Sequence, residues 1–456
     1  MATYSDCLEM IGNTPTVELT KFDAGPCRLF LKLENQNPGG SIKDRIALSM
    51  IEAAEAEGRL KPGGTIVEAT AGNTGIGLAL VAKLKGYRIV LVIPDKMSRE
   101  KIEYLKAMGA EIVITRSDVA KGHPEYYQEM AERIAGETGG VYVNQFANPA
   151  NPLAHETSTG PEIWAQLGHD LDAIVVGVGS SGTMTGLTRF FQKVSPSLEF
   201  ILADPEGSIL AEFVETGKIS HEAGSWLVEG IGEDFVPPIA DFSMTKKAYS
   251  IGDRESFALA RELLTREGIF AGSSTGTLLA AALKYCREQK LPKRVLTFAC
   301  DSGSRYLSKM FSNAWMKDLG FISDNPHGDL RDLISRKHEE HATVFVSPED
   351  TINTAYGRMK LHDVSQVPVL DGDRIVGLVD ESDVLYGIFG KRTRFDAGVK
   401  EVMNTHLTKL KPSDGLNAVM EVFKKGFVAI VEDENGAFLG IITKIDLLNY
   451  LRRGKK

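Results

Sequence analysis

The stretch Asn37-Pro38-Gly39-Gly40-Ser41-Ile42-Lys43-Asp44-Arg45 sets one lysine behind a Pro-Gly-Gly turn at the mouth of a helix. Leu29-Phe30-Leu31-Lys32-Leu33-Glu34, just before it, alternates like a strand, and Ile42 to Ala56 repeats apolar residues at helical spacing. Lys43 therefore sits at a strand-loop-helix junction. A lysine desolvated there lowers its pKa and becomes a nucleophile able to hold an electrophilic carbonyl cofactor. Taken alone, a lysine at a helix start is an ordinary solvated charge; two further segments tell against that reading here.

Glu68-Ala69-Thr70-Ala71-Gly72-Asn73-Thr74-Gly75-Ile76-Gly77 follows the strand-like Thr65-Ile66-Val67 and opens the apolar helix Leu78 to Leu84. Backbone N–H groups at such a helix start form an anion site, and the Thr70 and Thr74 hydroxyls suit it to a substrate carboxylate. Gly177-Val178-Gly179-Ser180-Ser181-Gly182-Thr183 likewise follows a strand, Ala173 to Val176, and precedes a helix, Leu187 to Val194, which is the geometry for a phosphate. A dinucleotide loop fits less well. The glycine spacing departs from G-x-G-x-x-G, and this turn is not in the first βαβ unit, where that fingerprint belongs.

The three loops, in this order and at these separations, resemble the fold-type II pyridoxal phosphate enzymes of the tryptophan synthase β family, from about Ile11-Gly12-Asn13-Thr14-Pro15 to about Trp315. Within that family the chain is most similar to the cystathionine β-synthases. The resemblance implies an α/β catalytic domain with open, twisted, mostly parallel sheets, over residues 1–319. It implies pyridoxal 5'-phosphate on Lys43, which later shuttles protons at Cα. Asn73 would bond the cofactor's ring hydroxyl, and Gly179, Ser180, Ser181, Gly182 and Thr183 would cup its phosphate. Ser274, in Gly272-Ser273-Ser274-Thr275-Gly276, would face the pyridine nitrogen. Thr70, Ala71, Thr74 and Gln145 would surround the substrate carboxylate. Ala71 and Ser181 stand where many relatives have serine and glycine. Ala71 still offers its N–H, whereas Ser181 is strained if that position needs a positive φ.

A serine opposite the ring nitrogen does not hold that nitrogen protonated, which favours prompt loss of a β-substituent over a long-lived carbanion. The implied reaction is β-replacement, L-serine plus L-homocysteine giving L-cystathionine, with hydrogen sulfide from cysteine as a possible side product. Glu229, in Trp226-Leu227-Val228-Glu229-Gly230-Ile231-Gly232-Glu233-Asp234-Phe235, is the position that separates this reading from a cysteine synthase using O-acetylserine and sulfide. Unassisted by the resemblance, Glu229 reads equally as a solvated loop carboxylate. Relatives often carry tyrosine where Glu233 stands. His155 reads as a structural hydrogen-bonder, and a non-catalytic sensor is disfavoured because Lys43, Asn73 and Ser274 are all present.

With 456 residues, 43% hydrophobic and 25% charged, the chain has room for two or three globular units. No apolar run is long enough to span a bilayer, and no leader is apparent. The net charge of −9 and the lack of a basic, aromatic-interleaved patch argue against nucleic acid. Cys7, Cys27, Cys286 and Cys300 lack metal-ligand spacing, so no metal is expected, and free thiols suit a cytoplasmic setting. The chain starts almost directly at the catalytic core, so no haem is expected either.

Alternating strands and helices, Arg88 to Ile93, Ser98 to Met108 and Glu111 to Ile114, continue to Arg294-Val295-Leu296-Thr297-Phe298. Residues 320–340 read as a linker containing a charged helix from Asp329 to Glu339; His338 and His341 within and beside it read as surface residues. An internal repeat follows, at 341–397 and 398–456. Pro348-Glu349-Asp350 corresponds to Pro412-Ser413-Asp414, and Gly377-Leu378-Val379-Asp380-Glu381-Ser382-Asp383 to Gly440-Ile441-Ile442-Thr443-Lys444-Ile445-Asp446. These small α+β copies resemble tandem CBS domains, which bind adenosyl ligands. The resemblance implies that Thr443 and Asp446 hold a ribose while Val364, Ser365, Gln366 and Val367 line the base side. S-adenosylmethionine or an adenine nucleotide is the expected effector, and a purely structural or dimerising module is the alternative. A homodimer or higher homo-oligomer is implied by the resemblance alone.

Overall fold

The computed structural model describes residues 3–70, 72–95, 99–116, 118–119, 122–322, 327–390 and 393–453. Ala71 and Ser98 lie outside the described residues. The chain divides into two units, Met1–Phe311 and Ser312–Lys456.

Among the described residues, ten strands of the first unit form two sheets. They are β1 (Thr16–Glu18), β2 (Arg28–Lys32), β3 (Thr65–Ala69), β4 (Arg88–Pro94), β5 (Glu111–Thr115), β6 (Val141–Tyr142), β7 (Ala173–Gly177), β8 (Glu199–Pro205), β9 (Thr245–Ile251) and β10 (Arg294–Phe298). One sheet runs β1-β2-β10-β7-β8-β9 and the other β5-β4-β3-β6. Every pair is parallel except β1 with β2. Helices cover the sheets, so the central strands bury both faces: β7, β8 and β10 read as nearly unbroken apolar runs because neither side meets water.

The same effect corrects the alternation expected of β2. Leu29, Phe30 and Leu31 are all buried, and Lys32 is wholly buried as well. Lys32 Nζ is satisfied by Thr14 O (2.6 Å), Glu162 Oε2 (2.9 Å) and Gln166 Oε1 (3.0 Å). Arg45 joins this cluster through Glu34 Oε2 (2.7 Å) and Glu162 Oε1 (2.7 Å). A buried cation needs such partners, and here they pin the first turn of helix α1 (Lys43–Ala56) against the body of the sheet.

In the second unit the repeat is realised twice as helix, hairpin, helix. The first copy has a helix Ile352–His362, strands β11 (Gln366–Asp371) and β12 (Arg374–Asp380), and a helix Glu381–Phe389. The second has β13 (Lys409–Leu410), a helix Leu416–Lys424, β14 (Ala429–Glu432), β15 (Phe438–Ile442) and a helix Lys444–Arg453. Val346, Ile352, Val367 and Val379 centre one core; Val419, Phe423, Val431 and Ile442 centre the other.

The stretch read as a linker behaves differently from that reading. No helix runs from Asp329 to Glu339; a single 3₁₀ turn, Leu330–Leu333, gives way to extended Ile334. Leu330, Leu333 and Ile334 are buried in the second copy's core. Burying three apolar side chains outweighs the weak propensity of a short charged helix, whose nucleation is costly. His338 stacks edge-on against Phe345 and Phe438. Among the described residues no group of His, Cys, Asp and Glu could hold a metal ion, and no helix is long and apolar enough to cross a membrane.

Candidate active site

Strands β2, β10 and β7 are adjacent and parallel, so the loops leaving their carboxyl ends share one edge of the sheet, the usual ligand position in open α/β sheets. Gly40, at φ 79°, turns the first loop so that Ser41 pairs with Asp301 and Ile42 N–H donates to Cys300 O (2.9 Å). Lys43 follows at the start of α1, half-buried. Loss of solvation holds its ammonium pKa below the usual lysine value, only partly opposed by Cys300, Asp301 and Glu233.

Beyond β3, helix α2 (Asn73–Lys85) begins within the threonine-bearing loop. Thr74 Oγ1 donates to Gln145 Oε1 at 2.7 Å, both residues buried, and Thr70 Oγ1 accepts from Gly72 N–H at 3.1 Å. Thr70, Thr74 and Gln145 are thus gathered at one helix N-terminus, as an anion site requires.

The serine-glycine turn after β7 leads into the helix Gly182–Val194. Ser181 adopts φ 69°, so the backbone does take the left-handed conformation that a serine tolerates poorly. Its hydroxyl meets Thr185 Oγ1 at 3.3 Å. A Cβ on Gly182 would overlap the Asn151 amide, and one on Gly179 would come within 2.7 Å of Gly230 O. Asn151 Nδ2 donates to Ser180 Oγ (3.0 Å) and to Gln145 O (2.7 Å), tying the serine-glycine turn to the segment that carries Gln145. His155, fully buried, sits between Thr159 Oγ1 (2.9 Å) and Thr183 Oγ1 (3.2 Å). Burial, with Lys43 and Arg45 nearby, holds its pKa well below the ordinary value, so the ring is neutral. A helix start with hydroxyls and no room for side chains on its glycines fits a phosphate. Ser274, in the helix Ser273–Arg287, is buried beside Cys300.

The structure gives partners to Glu229 and Glu233, both named from the sequence, and adds one cluster that the sequence reading missed. Glu229 is 22% exposed, paired with Lys101 at 8% and, through Oε1 at 2.7 Å, with Lys309. Burial would raise its pKa, but the two lysines outweigh that and hold it below the ordinary carboxylate value. It is no solvated loop carboxylate. Glu233 is pushed up to about 8 by burial, Asp234 and Asp204, with Lys43 pulling the other way. Finally, past the end of β10, Asp301 and Arg305 both bond Asn73, and Tyr306 OH donates to Asp301. Only the place of that cluster at a strand's carboxyl end signalled it in the sequence.

In the second unit a cavity of about 630 Å³ is lined by Val364, Ser365, Gln366, Thr443 and Asp446 among others. Val367 is not in its wall. Successive side chains of β11 point to opposite faces, and Val367 falls on the core side. Asp446 Oδ2 accepts from Thr443 Oγ1 (2.5 Å) and N–H (2.7 Å), and Oδ1 accepts from Ser335 Oγ. The corresponding Asp380 and Asp383 of the first copy instead form a capping box on their own helix.

A family model described as pyridoxal-phosphate dependent enzyme matches residues 8–301, and one described as CBS domain matches 331–390 and 399–453. Cystathionine beta-synthase of Mus musculus is 36% identical over 98% of this chain and 85% of its own length. The chain belongs to the cystathionine β-synthase family. Its counterpart in Saccharomyces cerevisiae is 34% identical over 97% of both chains. Among solved structures, O-ureido-L-serine synthase superposes with a TM-score of 0.63 at 33% identity, over 71% of this chain and 98% of that one. A hydrogen sulfide-producing enzyme from Fusobacterium nucleatum gives 0.61 at 34% identity, over 67% and 100%. The family's fold, an α/β pyridoxal phosphate enzyme with C-terminal CBS domains, is the fold found here.

Proposed function

We propose that the chain condenses L-serine with L-homocysteine to L-cystathionine, using pyridoxal phosphate held on Lys43. Bound there, the cofactor supplies the electron sink that makes the substrate Cα–H acidic. Desolvation of Lys43 carries the reading, because it favours the neutral amine that can hold a carbonyl and take the Cα proton. Gly179 to Thr183 would hold the cofactor phosphate, Asn73 its ring hydroxyl and Ser274 its ring nitrogen, where a neutral hydroxyl leaves that nitrogen unprotonated.

Thr70, Thr74, Gln145 and the N-terminus of α2 would bind the amino-acid carboxylate and so aim the Cα–H at Lys43. The Ala71 backbone N–H belongs to the same reading. Lys43, once protonated, is placed to deliver its proton to the departing β-hydroxyl. Glu233, mostly uncharged at neutral pH, does not repel an incoming thiolate. Glu229, anchored by two lysines, favours homocysteine over sulfide as the acceptor, and the kinship over nearly the whole chain supports the same choice.

The CBS pair would act as a sensor, with S-adenosylmethionine or an adenine nucleotide in the cavity bearing Thr443 and Asp446. Cytoplasmic residence, assembly as a homodimer or larger homo-oligomer, and function without haem complete the proposal. The test is kcat/KM for serine plus homocysteine against O-acetylserine plus sulfide, with and without S-adenosylmethionine. Preference for the first pair supports the proposal; preference for the second makes the chain a cysteine synthase with a regulatory module.

A further inference from the structure

Asn73 presents an amide whose two ends have opposite hydrogen-bonding character, so the end that faces the cofactor ring matters. Its orientation is set from outside the site. Arg305 donates one guanidinium N–H to Asn73 Oδ1 and another to Gly39 O in the lysine loop. Guanidinium has donors only, so the amide oxygen must be the end that meets it. On the other side Asn73 Nδ2 donates to Asp301 Oδ2 at 2.8 Å, and Tyr306 OH donates to the same oxygen at 2.8 Å. With two donors converging on it, Oδ2 accepts whether or not the acid carries a proton on Oδ1. One N–H of Nδ2 is thereby used, and the second is left over.

The surroundings keep this arrangement rigid. Asp301 is 1% exposed and Tyr306 3% exposed. A Cβ on Gly272 would overlap Asp301 Oδ1 and crowd the Tyr306 ring. Ser41 and Asp301 pair through their backbones, and Ser302 N–H donates to Gly40 O at 3.1 Å. The same short segment therefore braces both Asn73 and the loop that carries Lys43.

We infer that Arg305 and Asp301 are positioning residues that lock the Asn73 amide with its nitrogen toward the cofactor's ring oxygen. This rests on the reading in which Asn73 faces that oxygen. An N–H aimed at the ring oxygen stabilises its deprotonated form; a carbonyl aimed there would instead accept from the protonated hydroxyl. Arg305 thus sets the tautomer of the bound cofactor through Asn73.

The test is the tautomer ratio of the bound cofactor, read from the absorption spectrum of the full-length protein loaded with pyridoxal phosphate. The wild type, Arg305→Met, Arg305→Lys, Asn73→Ala and the double variant Asn73→Ala/Arg305→Met are compared. Arg305→Met frees the amide to turn and should shift the ratio toward the protonated hydroxyl by about fivefold or more, the scale of one charge-assisted hydrogen bond. Arg305→Lys keeps one donor for Oδ1 but loses the planar fork that also reaches Gly39 O, so its shift should be smaller than that of Arg305→Met. In the Asn73→Ala background Arg305→Met should add nothing, since contacts that act through one group are not additive.

A shift of equal size with and without Asn73 would overturn the inference, as would a wild-type ratio in Arg305→Met. Should Arg305→Met fail to fold, Arg305→Lys is measured with and without Asn73: a shift seen only when Asn73 is present supports the lock, and no shift, or one of equal size in both, overturns it. A failure of the underlying reading shows separately, as an Asn73→Ala protein whose spectrum does not change.

Discussion

Replacing Glu229 by glutamine keeps the shape and removes one charge from between two lysines. Lys101, 8% exposed, then loses its counter-ion where water cannot replace it, while Lys309, at 35%, is largely rehydrated. Breaking a fully buried pair from one side costs roughly 3–5 kcal/mol and an exposed one about 0–1. With Glu229 itself 22% exposed, the expected loss is about 1.5–3 kcal/mol, most of it from Lys101. Denaturant unfolding of the wild type, Glu229→Gln, Lys101→Met and the double variant gives the coupling directly, expected near 1.5 kcal/mol.

The pH dependence has a definite sign. Glu229 has a folded pKa held below its ordinary value of 4.5. The pair's stabilisation is therefore full above the unfolded value and fades as pH falls through the lower, folded one. The difference between wild type and Glu229→Gln should be constant from pH 6 to 8 and shrink in acid. A coupling below about 0.3 kcal/mol, within the error of additivity, or a difference that persists in acid, would show that the clamp contributes nothing. In the same protein kcat/KM for homocysteine should fall by more than that for sulfide.

Lys43→Ala should abolish turnover together with the visible band of the lysine-bound cofactor; retained turnover would remove Lys43 from the mechanism. Ser181→Gly should stabilise the protein by up to about 1 kcal/mol in thermal or denaturant unfolding, because it releases a left-handed backbone at the cost of one long hydroxyl contact. Glu233 ionises near 8, so Glu233→Gln should have the higher kcat/KM for homocysteine, relative to wild type, above that pH and not below it. Thr443→Val should weaken binding of S-adenosylmethionine, or of an adenine nucleotide, at least about tenfold by calorimetry, since it removes a hydroxyl held by Asp446.

The parts of the site that were legible lie within short segments whose conformation is local. A Pro-Gly-Gly turn, a threonine-bearing helix start and a serine-glycine turn each announce themselves by residue type and spacing. The positive φ at Ser181 was foreseeable for the same reason. What joins them was not legible. Lys101 and Lys309 reach Glu229 from 128 and 80 residues away, and Arg305 reaches Asn73 from 232. No periodicity encodes contacts of that span. Val367 was misplaced because a two-residue period fixes only alternation, and which face meets the core depends on the partner layers. The helix expected from Asp329 failed because Leu330, Leu333 and Ile334 found a core to enter.

That last feature bears on where the protein can be cut. A fragment begun at residue 341, the start suggested by the repeat, would leave behind Leu330, Leu333 and Ile334, which are 2%, 3% and 5% exposed. It would also lose Ser335, whose hydroxyl holds Asp446. Such a fragment begins with a hole in its second repeat and one support missing from Asp446. A catalytic piece ending at residue 340 would carry the same three apolar side chains as a sticky tail. Excision before Ser312, where the second unit begins, keeps that wall with the repeats it completes.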